Sequence, residues 1–200
     1  MKKGISVLFA VILMISLVSC KGDGSEKIRK QYEDLKSYQA EIKVTVSGNK
    51  GPMEYEFHQS YRSPDCYRAE VTVPERMAGT VAMMQGDKVW FRGAGAPAMP
   101  LEANTLEEEM DVLFPIKFFR DYFCQEPLPE LTENEEGLLQ LVLPNRGSNR
   151  YRFTQQLWID GKTKLPVSFV TYDIDGNEMV RVEYQKFTPN IELEDSLFLP

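Results

Sequence analysis

The chain has 200 residues, 42% hydrophobic and 26% charged, with 30 Asp and Glu against 23 Lys and Arg. The formal net charge of −7 excludes a nucleic-acid binder, because phosphate recognition needs clustered Lys and Arg, and it argues against lying flat on anionic lipid. Length and apolar content suit a single domain with a real core.

The N-terminus reads as an export signal. Met1-Lys2-Lys3 is a short basic region, and a largely apolar stretch follows from Ile5 to Val18. Those 14 residues fall short of the roughly 20 that a membrane-spanning helix needs. The stretch ends in Leu17-Val18-Ser19-Cys20, which resembles the lipobox of bacterial lipoproteins: a small residue before the cut, then a cysteine whose thiol takes diacylglycerol. Cys20 is therefore the expected lipidation site. The expected organisation is a signal peptide over 1–19, a flexible polar tether over 20–26 and one domain over 27–200. Removing Lys2 and Lys3 takes the charge from −7 to −9. The expected location is the extracytoplasmic face of a bacterial membrane.

Residues 25–36 read as a helix, with Ser25 able to cap it and Ile28, Tyr32 and Leu35 at helical spacing. Ala40, Ile42, Val44 and Val46 then alternate with polar residues, as do Met53, Tyr55, Phe57 and Tyr61 beyond the turn at Gly48–Gly51. That predicts a hairpin. Tyr67 to Val73 is a third strand, and 79–84 and 87–92 form a second hairpin about Gly86-Asp87. Gly93 to Pro100 breaks regular structure. Leu106 to Phe123 reads as helical, with Pro115 dividing it and suited to start the second helix; Leu113, Phe114, Phe118, Phe119, Tyr122 and Phe123 give it an aromatic face. Strands resume at 138–143, 150–159, 165–173 and 178–187, and Leu197 and Phe198 tuck back onto the core. Hairpin turns make the sheet antiparallel, and the aromatic insert is the natural cover for a curved sheet's concave face.

Two cysteines remain in the mature chain, Cys66 and Cys124. Outside the cytoplasm such a pair can bridge or stay as two thiols, and both readings are open. His58 is the one histidine, on the polar side of its strand, where an exposed structural role outweighs catalysis. No His, Cys, Asp or Glu cluster has zinc spacing, no Gly-x-Ser-x-Gly elbow occurs, and Gly93-Ala94-Gly95 lacks the rest of a phosphate loop. Glu107-Glu108-Glu109 reads as a solvated face. No cofactor and no enzymatic activity are expected. Val44, Tyr55, Phe57, Val71, Met83, Phe91, Phe114, Phe118, Phe119 and Tyr122 fill a core in one reading. In the other they line an apolar cavity or partner surface able to take an acyl chain or a partner's apolar segment. An open sheet edge also invites a homodimer.

Several landmarks carry a family resemblance. They are Lys36-Ser37-Tyr38-Gln39-Ala40, Tyr67-Arg68-Ala69-Glu70-Val71, Gly86-Asp87-Lys88-Val89-Trp90-Phe91, Leu157-Trp158-Ile159-Asp160 with Leu165-Pro166-Val167, and Asp195-Ser196-Leu197-Phe198. In this order they resemble the superfamily of the lipoprotein carrier LolA, the receptor LolB and the N-terminal domain of RseB. The resemblance implies an α+β fold: a strongly curved, half-closed antiparallel β-barrel of about 9–11 strands, with helices over its concave face. Through the lipobox, Tyr38 to Tyr61 and Leu141-Val142-Leu143-Pro144-Asn145, the chain is most similar to the GerS-like germination lipoproteins. That implies a binding module for a cell-wall amidase in spore-cortex processes. The alternative is a lipid or lipoprotein receptor of LolA or LolB type.

Overall fold

The computed structural model describes residues 23–101, 112–126, 128, 131–144 and 149–200. The signal peptide, Cys20 and the Leu106–Asp111 part of the expected insert lie outside the described residues. Two helices and eleven strands are described. Helix α1 is Asp23–Glu33, and strands β1 (Ser37–Val46), β2 (Met53–Arg62), β3 (Cys66–Val73), β4 (Val81–Gln85), β5 (Lys88–Arg92) and β6 (Met99–Leu101) follow. Helix α2 (Pro115–Phe123) comes next, then β7 (Thr132–Glu133), β8 (Leu138–Leu143), β9 (Thr154–Asp160), β10 (Pro166–Tyr172) and β11 (Glu178–Pro189). Pro115 opens α2, where its missing N–H has no helical partner to lose.

All eleven strands belong to one antiparallel sheet in the order β6-β5-β4-β3-β2-β1-β11-β10-β9-β8-β7. Two meanders thus run outward from a seam between β1 and β11, and β6 and β7 are the edges. The seam has an irregularity beside Glu41 and Ile42, which shifts register so that Ala40 faces Phe187 while Ile42 faces Tyr184. Apolar residues therefore stay on one face along the whole seam. In the β1–β2 hairpin, Gly51 has φ of +103° and donates to the Gly48 carbonyl at 3.0 Å, a conformation that side chains with a Cβ resist. Gly161 is required for a different reason. A Cβ there would lie 2.4 Å from the Gly137 carbonyl oxygen, and its N–H donates to that oxygen at 2.9 Å. The β7–β8 and β9–β10 turns are joined by this contact.

One face of the sheet, here the inner face, carries Tyr38, Ala40, Ile42 and Val44 of β1, Tyr61 of β2, Tyr67 and Ala69 of β3, and Leu157, Phe169 and Val182 of the C-terminal strands, all buried in one cluster. Helix α1 joins it through Ile28, Tyr32 and Leu35, and α2 through Ile116, Phe118, Phe119 and Tyr122. The opposite, outer face has a smaller buried group. Cys66, Val81 and Met83 lie there by alternation from Tyr67 and Met84. Near them sits the single turn Asp195–Phe198, with Phe198 only 1% exposed. Arg62 anchors that turn, its guanidinium 4.8 Å from the centre of the Phe198 ring and paired with Asp195. Asn190 completes the attachment, donating to the Ser37 carbonyl at 2.6 Å and accepting from the Lys36 N–H at 2.9 Å.

Candidate binding surfaces

The inner face decides between a filled core and an open cavity. The Tyr32 and Phe119 rings stack with centroids 3.4 Å apart, Phe118 meets Phe169 edge-on at 5.4 Å, Phe114 meets Tyr67 edge-on at 5.0 Å, and Tyr38 stacks on Phe187 at 4.5 Å. Edge-to-face and offset pairs with centroids about 4.5–7 Å apart are those that add to area burial, which covers the last three pairs and not the closer Tyr32–Phe119 stack. Val44, Val71, Phe114, Phe118, Phe119 and Tyr122 are all buried, and Tyr55, Phe57 and Phe91 are half-buried. Of the residues expected to line a cavity, Phe119 alone borders either of the two pockets described below. Met83 is placed elsewhere: it is buried on the outer face, across from Arg68. The Met83-Met84 pair hides this from a sequence reading, since both neighbours are apolar and alternation cannot tell which points inward.

The interior also holds polar chemistry that the sequence reading missed. Gln59 is 1% exposed. Its Oε1 accepts from the Tyr38 hydroxyl at 3.1 Å, and its Nε2 donates to the Leu113 carbonyl at 2.8 Å. The Tyr184 hydroxyl donates to the same carbonyl at 3.4 Å. This network ties the segment entering α2 to the middle of the sheet. Burial pushes the Tyr38 and Tyr184 hydroxyls well above the ordinary tyrosine range, because the charged form loses its hydration. The signal for Gln59 was available, since it is a polar residue standing in the apolar row Tyr55, Phe57, Tyr61. Gln155 and Thr171 form a second polar pair, facing each other across β9 and β10 and both buried. Among the described residues, Gln155 Oε1 and Thr171 Oγ1 have no hydrogen-bond partner.

Two pockets are described, one at the edge of this interior and one on the outer face. One, of about 250 Å³, is bordered by Tyr32, Leu35, Tyr61, Pro64, Phe119 and Cys124, where the C-terminal ends of both helices meet the β2–β3 turn. Arg120 approaches Asp65 there at 3.7 Å. The other, of about 350 Å³, lies on the outer face. Two cross-strand rows form its floor: Thr188, Gln39, Ser60 and Arg68, then Lys186, Glu41, His58 and Glu70. Arg68 pairs with Glu70 at 2.6 Å and Lys186 with Glu41 at 3.6 Å. The exposed His58 thus sits between two carboxylate-bearing strands, and among the described residues no group of three or more His, Cys, Asp or Glu is arranged to hold a metal ion.

Cys66 and Cys124 are both free thiols, the first buried and the second exposed. Of the two readings left open, the structure has the pair as two thiols. Cys66 belongs to the outer face of β3, whereas Cys124 follows α2, which packs on the inner face.

The sequence model of the YdcC-like sporulation proteins matches residues 1–198. The chain belongs to this family. No curated protein matches it. Among solved structures, an uncharacterised conserved protein of Thermus thermophilus is similar with a TM-score of 0.53 at 15% identity, over 86% of this chain and 91% of that one. A Vibrio parahaemolyticus domain assigned to outer membrane lipoprotein sorting is similar with a TM-score of 0.50 at 12% identity, over 88% and 96%. A chain of the Clostridioides difficile complex of the CwlD amidase with the GerS lipoprotein gives 0.47 at 25% identity, over 88% and 97%. The fold is that of the LolA and RseB group, as the landmarks implied. Among the described residues no helix is long and apolar enough to cross a membrane.

Proposed function

We propose that this protein is a lipid-anchored binding module on the outer face of a bacterial membrane, and that in sporulation it holds a protein partner rather than a lipid. In this reading Cys20 carries the anchor. The sheet takes the form of a half-closed barrel with both helices over its concave face, which the contacts of Lys117 in α2 with Tyr67 of β3 and of Phe118 with Phe169 of β10 support. The partner is a cell-wall amidase, by the resemblance to GerS-like lipoproteins, and membership of a sporulation family supports the setting. The observation that carries the choice of partner over lipid is the packing of the inner face by stacked and edge-on rings. Acyl chains need a void of several hundred Å³ lined by apolar groups, whereas the pocket of about 350 Å³ has a polar floor on the outer face and the one of about 250 Å³ is a cleft at the edge of the inner cluster. A protein that stays on the membrane also suits holding better than ferrying.

Affinity capture of the full-length protein from sporulating cells, in detergent, tests this. Co-purification of a cell-wall amidase in stoichiometric amount is the expected result. Recovery of phospholipid or acylated protein with no amidase would contradict it.

A further inference from the structure

The two ends of the sheet differ. One end carries the turns between β1 and β2, β3 and β4, β5 and β6, β8 and β9, and β10 and β11. At this rim lie Met53, Val73, Met99, Tyr151 and Ile174, five of the eight exposed large hydrophobic residues described, each between 41% and 58% exposed. They come from five separate strand ends or turns, so they form a line of tips rather than one continuous patch. The inner face opens toward the same rim: Tyr61 is buried, Phe57 and Tyr55 are half-buried, and Met53 is 49% exposed.

Charge follows the same division. Among the described residues the rim turns carry Lys50, Arg76, Arg150 and Arg152 against Glu75, Asp173 and Asp175, so this end is close to neutral in a chain of −7. Two of those carboxylates are engaged locally. Asp173 accepts from the Asp175 and Asn177 N–H groups at 2.9 and 2.7 Å, and Asp175 lies 3.7 Å from Arg150. The acidic excess is elsewhere, as at Glu192, Glu194 and Asp195 by the opposite end.

The N-terminal helix supplies the direction. Its C-terminal half reaches the β9–β10 turn at the opposite end, where the Tyr32 hydroxyl donates to the Lys164 carbonyl at 2.8 Å. Its first residues lie back along β7, where a Cβ on Gly24 would meet Leu131 at 4.0 Å. The chain therefore enters the helix from the rim side. Cys20 precedes Asp23 by three residues, a span of roughly 10 Å when extended.

We infer that the rim is a second membrane contact, its apolar tips seated in the interface of a phospholipid bilayer and its Lys and Arg residues among anionic headgroups. The direction of the tether rests on the lipid-anchor reading above. A bilayer accepts separate tips at a common depth, and binding there grows with apolar area plus attraction to anionic lipid. A protein interface instead needs a continuous, well-packed apolar centre, which five spaced tips do not provide. An acidic chain can thus meet an anionic membrane end-on although it would not lie flat on it. The two pockets are then left clear of the membrane for a partner.

The test uses the full-length protein reconstituted in vesicles, with Cys124→Ser leaving no exposed native thiol beyond the tether. A polarity-sensitive fluorophore is placed at Ile174→Cys or Met53→Cys, with Lys162→Cys in the opposite turn as the reference. Blue-shifted emission and quenching by acyl-chain quenchers at both rim positions, absent at the reference, is the expected result in phosphatidylglycerol vesicles. Each of K50E, R76E and R150E should lower the seated-to-free ratio at least fivefold or so, since one basic residue near such a surface is worth about that factor. Rim labels that match the reference label would overturn the inference, as would a shift seen only on adding an acidic protein. The mass of the mature N-terminus reads the anchor separately. A chain without acyl groups would refute the tether, while the response of the rim labels to added vesicles would still decide the rim.

Discussion

Strand β2 carries Tyr61, Gln59 and Phe57 on one side and Arg62, Ser60 and His58 on the other, and the two rows meet different fates. The inner row is fixed by rings and by the hydrogen bonds of Gln59. The outer row is held by contacts near the surface, such as Arg68 with Glu70 and Arg62 with Asp195, which contribute little to stability when solvent screens them. The lesson is a division of labour within one sheet. The inner face and the small outer cluster about Phe198 make the fold, and the exposed outer positions and the rim are where substitutions are tolerated and contacts can be chosen.

The largest test of that division is Phe118→Ala. Phe118 is 1% exposed and touches Phe119, Tyr122 and Phe169. Its truncation should cost about 3–5 kcal/mol, read from chemical denaturation. A loss below about 1 kcal/mol would mean a loose interior and would favour the lipid-receptor alternative. Gln59→Leu comes next. It strips the Leu113 carbonyl of its shorter hydrogen bond and the Tyr38 hydroxyl of its acceptor, so a loss of about 1–3 kcal/mol is expected, with faster amide exchange at the start of α2.

Alkaline titration separates the faces without mutation. Burial raises the Tyr122 hydroxyl to about 12 from its ordinary 10.0 and also holds Tyr38 and Tyr184 well above that ordinary value. Because the folded values exceed the unfolded ones, their stabilising contribution is full below pH 10 and is lost as pH rises beyond it. Tyrosinate absorbance should therefore show an exposed class first, then Tyr38 and Tyr184 only with unfolding. The smallest effect belongs to the outer row. His58→Ala should change stability by no more than about 0.5 kcal/mol, measured by thermal melting.

Much of the fold was legible in the sequence because alternation is strong where one face is buried. The hairpin of β1 with β2 and the strands β8 to β11 followed from it. The edge strands did not. β6 is three residues containing Pro100, and β7 is two residues, too short for a period and shaped by pairing with a neighbour. The first helix already includes Asp23, so Ser25 lies within it rather than capping it. Nine to eleven strands were expected, and eleven are found among the described residues. For the candidate site, the aromatic positions were readable and their packing was not. Whether ten apolar residues enclose a void or fill it depends on ring placement in three dimensions. The outer groove was likewise hidden, since its two rows bring together residues from four strands that are distant along the chain.

Native mass spectrometry of the full-length protein in detergent, with and without a purified sporulation amidase, tests the central proposal most directly. The expected spectrum shows the mature chain with covalent acyl mass on Cys20 and no other lipid, and a discrete complex when the amidase is added. A chain that retains non-covalent lipid and forms no amidase complex would contradict the proposal.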